Sequence, residues 1–126
     1  MLKKLLDGVV YVKVSRNKFR IRHVVDKKET TITALEPFTT TRLLVGEFSV
    51  AEKYLRDGIR IVHEGRWFPP SPMIVIQPLE MIEEGLSQVE ERVFKELAAG
   101  AGARKAIVWV GRELSDQEVI KLVKCV

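Results

Sequence analysis

Val9-Val-Tyr-Val-Lys-Val-Ser-Arg-Asn-Lys-Phe-Arg-Ile-Arg-His-Val-Val25 is the stretch whose reading decides the fold. Alternation places Val10, Val12 and Val14 on one face of a strand and Val9, Tyr11 and Lys13 on the other. Ser15-Arg-Asn-Lys18 reads as a turn. A second strand then runs through Val25, with Phe19, Ile21, His23 and Val25 on one face and Lys18, Arg20, Arg22 and Val24 on the other. Asp26-Lys-Lys28 is a further turn, and the β-branched run Thr30-Thr-Ile-Thr-Ala-Leu35 supplies a third strand. Strands this close in sequence pair as an antiparallel meander.

Downstream the period changes. Glu36 to Thr41 reads as loop, and Arg42 to Phe48 is open between a short strand and an extended lead-in. Ser49-Val-Ala-Glu52, Ser87-Gln-Val-Glu90 and Ser115-Asp-Gln-Glu118 each have capping-box spacing, in which the serine takes the N3 amide and the glutamate reaches back to the N-cap amide. Helices are predicted behind each, the first ending near His63 and the second at Gly100 or Gly102. Met73-Ile-Val-Ile76 and Ala106-Ile-Val-Trp-Val110 are short apolar runs of the kind buried on both faces of parallel strands. Helical crossovers make these strands parallel to the first. The order β-β-β-α-β-α-β-α describes an α/β fold, a mixed five-stranded sheet flanked by helices. This is the ribonuclease H-like arrangement, also used by each large subdomain of actins.

A length of 126 residues suits one domain, over residues 9–126, preceded by an N-terminal segment, residues 1–8. Hydrophobic residues at 46% and charged residues at 30% are those of a folded soluble protein. A net charge of +4 favours anionic partners only weakly. Cys125 has no second cysteine to pair with, which fits a reducing cytoplasm. No apolar run approaches the ~20 residues of a membrane span. Met1-Leu-Lys-Lys-Leu-Leu-Asp-Gly8 lacks the apolar core of a secretory signal. Its Leu2, Leu5 and Leu6 beside Lys3 and Lys4 suit a short amphipathic anchor, which would make a weak contact with the inner face of the cell membrane.

Several stretches resemble the rod shape-determining MreB family of bacterial actins. They are Phe48-Ser-Val-Ala-Glu-Lys-Tyr-Leu55, Ile61-Val-His63, Pro70-Ser-Pro72 with the run Met73 to Ile76, and above all Ser87-Gln-Val-Glu-Glu-Arg92 with Ala99-Gly-Ala-Gly-Ala-Arg104. Met1-Leu-Lys-Lys4 is similar to the start of many relatives. The resemblance covers most of residues 48–110 and implies one actin-like subdomain. It also implies a phosphate turn between the first two strands, where relatives carry an acidic residue and a glycine. Here that turn holds Lys13, Ser15, Arg16 and Asn17, with Lys13 at the acidic position and Ser15 at the glycine. A lysine does not coordinate magnesium, and a side chain at Ser15 hinders close backbone approach. The second half of the actin fold and the small inserted subdomain are also missing from the expected pattern. No ATPase activity and no cofactor are therefore expected.

A two-metal nuclease needs converging carboxylates. The first helix offers Glu52 or Asp57, but the first strand offers Lys13 and the fourth ends at Gln77. His23 and His63 are expected to be isolated from each other and from Cys125, so no metal site is expected. Gly100-Ala-Gly-Ala103 follows a helix and reads as its stop rather than a phosphate loop. Glu80, Glu83 and Glu84 read as solvated acids before a helix N-terminus. The expected function is a non-catalytic, MreB-like interaction module linked to cell shape or the cytoskeleton, working through a protein partner or self-association. The alternative is a nucleic-acid or anionic-lipid binding domain that uses Lys18, Arg20 and Arg22, which otherwise face solvent on a one-sided sheet.

Overall fold

The computed structural model describes residues 8–67, 69 and 71–125; Leu2, Leu5 and Leu6 of the expected anchor lie outside them. The elements are β1 (Val9–Ser15), β2 (Lys18–His23), β3 (Lys28–Thr33), α1 (Phe48–Val62), β4 (Met73–Pro78), α2 (Gln88–Gly100), β5 (Lys105–Val108) and α3 (Asp116–Lys124). The strands form one mixed sheet in the order β3-β2-β1-β4-β5. β1 is antiparallel to β2, β2 to β3, and the two crossovers set β4 parallel to β1 and β5 parallel to β4.

The alternation in β1 separates two cores. Val10, Val12 and Val14 join Phe19, Ile21, Ile74 and Ile76 under Leu55 and Ile59 of α1 and Phe94 and Leu97 of α2. Val9, Tyr11, Met73 and Val75 face the other way, against Val119 and Val123 of α3. With helices on both faces, all six residues of β4 are buried, as its unbroken apolar run requires. Gly58 lets α1 lie close on β2, since a Cβ there would stand 2.0 Å from Ile21 Cδ1. α2 ends as expected at its glycines. Gly102 takes φ +105°, the Gly102 amide donates to Ala99 O and the Ala103 amide to Ala98 O, and Arg56 of α1 donates to Gly100 O at 2.8 Å.

Several boundaries differ from those read in the sequence. β2 stops at His23 and β3 starts at Lys28, because the Asp26 amide donates to His23 Nδ1 (3.1 Å) and closes the turn early. Val24 is buried in the α3-side core and Val25 is exposed, while Ala34 and Leu35 leave the sheet, Leu35 being 92% exposed. Arg42 to Glu47 forms no strand; its Leu44 and Val45 are buried beside Phe38 in the core under α1 and α2. β5 is an edge strand and only half-buried, not buried on both faces, since nothing among the described residues pairs beyond it.

The Ser49–Glu52 capping box does not form. α1 starts one residue before Ser49, with Glu47 at the N-cap and no side-chain cap. The Gly46 and Glu47 amides both donate to Phe38 O, which sets the start of the helix from the core side. The boxes at Ser87/Glu90 and Ser115/Glu118 are both complete.

Candidate functional site

The C-terminal ends of β1 and β4 lie side by side, Lys13 beside Gln77 and Val14 beside Pro78, with the β1–β2 turn above them. A turn that held phosphate would present free backbone amides there. Here both are taken. The Arg16 amide donates to Glu80 Oε2 at 2.6 Å and the Asn17 amide to Thr39 Oγ1 at 3.0 Å. Asn17 sits at φ 56°, and its Oδ1 accepts from the Phe38 and Thr39 amides at 2.9 and 2.8 Å. Glu80 is therefore no simple solvated acid ahead of α2; it turns to the hairpin, whereas Glu83 and Glu84 are exposed.

On the α3 side the same end of the sheet is closed by a buried polar network. The Tyr11 hydroxyl donates to Gln77 Oε1 and accepts from the Leu114 amide (3.0 Å), and Gln77 Nε2 donates to Gly111 O at 2.8 Å. Burial pushes the Tyr11 phenol above its usual range, so it stays a neutral donor. Lys13, its side chain 12% exposed, pairs with Glu113 at 2.9 Å. The Lys13 ammonium in turn holds the Glu113 carboxyl below its ordinary value.

Lys18, Arg20 and Arg22 share the α3-side face of β2 and are half-buried rather than fully solvated. Arg22 donates twice to Asp116, at 2.7 and 2.8 Å, and lies 3.6 Å from Glu29. Lys27 also reaches Asp116, at 3.1 Å. These contacts, Arg22 first, bring the Asp116 carboxyl down to about 2. Lys18 and Arg20 form no ion pair among the described residues.

Glu52 and Asp57 do not converge with Gln77. They lie on α1, on the other side of the sheet, and pair with Arg56 (3.0 Å) and Arg60 (2.9 Å). Among the described residues no cluster of His, Cys, Asp or Glu suits a metal ion. His23 and His63 are not isolated, contrary to the sequence reading. Both are buried, with ring centroids 5.2 Å apart in an edge contact, because β2 and α1 end side by side. His63 Nδ1 lies 2.9 Å from Ile59 O, so the pair ties the end of α1 to the β2–β3 turn.

The acids that engage the turn and the basic face, Glu80 on the Arg16 amide, Glu113 on Lys13 and Asp116 on Arg22, went unseen in the sequence as partners. Glu113, Asp116 and Glu118 crowd around Ser115, and that local excess of acid was the signal available.

No helix among the described residues is long and apolar enough to cross a membrane. No protein-family model matches the sequence. Part of the chain is similar to the cell shape-determining protein MreB, 40% identical over 62 residues to that of Haemophilus influenzae. That match covers 49% of this chain and 16% of that MreB. MreB of Escherichia coli K12 is 35% identical over 65 residues, covering 52% of this chain and 18% of MreB. The uncharacterized protein YjaA of Escherichia coli K12 aligns along nearly its whole length, 38% identical over 126 residues, covering 93% of this chain and 98% of YjaA. The chain belongs to the same protein family as YjaA.

Proposed function

We propose that this protein is a non-catalytic interaction module built on a single actin-like, ribonuclease H-like subdomain, related to MreB and tied to cell-shape or cytoskeletal assembly through protein contacts. The strand order β3-β2-β1-β4-β5, with two antiparallel and two parallel pairings, supports the actin-like reading of the sheet. So does the partial identity to MreB, which extends over about half of the chain.

The observation that carries the non-catalytic part is the fate of the β1–β2 turn. Its amides at Arg16 and Asn17 are already donated to Glu80 and Thr39. A γ-phosphate entering this turn would have to displace the Glu80 carboxylate, and no acid stands at Lys13 to hold its magnesium. The Tyr11–Gln77 network and the Lys13–Glu113 pair fill the space beside it. A fold kept intact around a filled ligand turn is suited to presenting a surface rather than to chemistry.

The interaction half is tested by co-sedimentation with filaments of an MreB relative in magnesium-ATP, alongside sedimentation velocity of the protein alone. Co-pelleting or concentration-dependent self-association is the expected result. A protein that stays monomeric and remains in the supernatant contradicts the reading.

A further inference from the structure

The sheet is covered unequally. α1 and α2 lie over one face, while on the other the apolar residues of α3 pack on β1 and β4 and none covers β2 or β3. The bare strip pairs Lys18 with Thr33, Arg20 with Thr31 and Arg22 with Glu29, and carries no apolar side chain. An apolar partner has nothing to bury there. Lys13 stands directly opposite Arg20 across β1 and β2. Like charges in that position weaken a sheet, and Glu113, which pairs with Lys13, is the acid that also acts on Arg20.

The chain itself shows how such charge is met. The segment Glu113 to Asp116 borders the strip on its β1 side, with Glu113 on Lys13 and Asp116 on Arg22. Lys18 and Arg20, farther along the same strand, form no ion pair among the described residues. Beyond them β3 is the edge of the sheet among the described residues, with one side of its backbone unpaired there.

We propose that β2 and β3, with Lys18 and Arg20 towards the start of β2, form a docking strip for an extended acidic segment of a partner protein. This rests on the interaction-module reading above and names its surface. Alternate residues of an extended chain are ~7 Å apart, so carboxylates two positions apart match the spacing of Lys18 and Arg20. The open edge of β3 offers alternating backbone donors and acceptors, a ladder that an extended peptide matches along its length and a phosphate chain, which carries acceptors only, does not. Glu29 on the strip and Glu113 and Asp116 beside it oppose a continuous phosphate chain, which would run past all three. A peptide can place neutral residues beside them.

The test is a fluorescence titration of the full chain with a labelled peptide of alternating Glu and Thr. Parallel titrations use a single-stranded oligothymidine and phosphatidylserine vesicles. Saturable peptide binding is expected, weaker in salt, and lowered about tenfold or more by the double change Lys18→Gln with Arg20→Gln, as two lost ion pairs imply. Amide exchange should slow at residues 30–33 on binding, and Lys95→Gln on α2 should leave binding unchanged. A melting temperature retained in the double variant shows that loss of binding is not loss of fold. Absence of saturable peptide binding at millimolar concentration overturns the proposal. So does binding that ignores Lys18 and Arg20, or oligothymidine or vesicles binding more tightly than the peptide. Each of these leaves the non-catalytic reading standing, because that reading depends on nucleotide and not on this strip.

Discussion

Asp116, the first residue of α3, accepts two hydrogen bonds from Arg22 on β2, at 2.7 and 2.8 Å, and so fastens the last helix to a strand 94 positions earlier. The apolar part of that attachment is small, with Val119 and Val123 the buried residues of α3. A short helix with little buried area depends on its polar ties, and here the tie sits where negative charge also favours the helix dipole.

A pH dependence follows. The Asp116 carboxyl titrates at about 2 in the folded protein against an ordinary 3.8, so the unfolded chain takes up its proton first. The stabilisation is fully present above pH ~4 and is lost as the pH falls towards ~2. With its side chain 23% exposed, solvent screening reduces the effect to about 1 kcal/mol. Asp116→Asn is expected to lose about that much at neutral pH and to match the parent near pH 2, as read from urea unfolding at several pH values.

The helix caps give a contrast internal to one protein. Ser87→Ala and Ser115→Ala each remove a complete capping box and are expected to cost about 1 kcal/mol. Ser49→Ala removes no cap and is expected to change stability by less than about 0.5 kcal/mol. Chemical denaturation of the three variants checks this.

Tyr11→Phe leaves the Leu114 amide and the Gln77 side chain each short of a partner in a buried place. The expected cost is about 1–3 kcal/mol. Amide exchange should show the loss concentrated at residues 111–118, because the hydroxyl pins that loop; uniform loosening of the whole sheet would contradict the assigned role.

The same contrasts show what was legible in the sequence. Strict alternation in residues 9–22 and the unbroken apolar run of β4 reported the sheet faithfully, because side-chain period and burial on one or two faces are local consequences of strand geometry. Ser87 and Ser115 were legible for the same reason, since a capping box is closed within four residues. Ser49 has identical spacing, yet the start of α1 is set by Phe38, a residue buried in the core and brought there by the fold. The contact of His23 with His63 and the reach of Glu80 to the hairpin amide likewise join residues 40 and 64 positions apart, and no local pattern encodes them. At the candidate site, Lys13 and Ser15 could be seen to be wrong for magnesium and phosphate. That the turn is filled by Glu80 and Thr39 could not.

The central claim, that this turn serves the protein's own structure rather than a nucleotide, is tested most directly by calorimetric titration of the purified protein with magnesium-ATP. The account predicts no saturable heat at millimolar nucleotide. Saturable binding at micromolar nucleotide, abolished by blocking the Arg16–Asn17 turn, would contradict it and make the protein a nucleotide-linked switch.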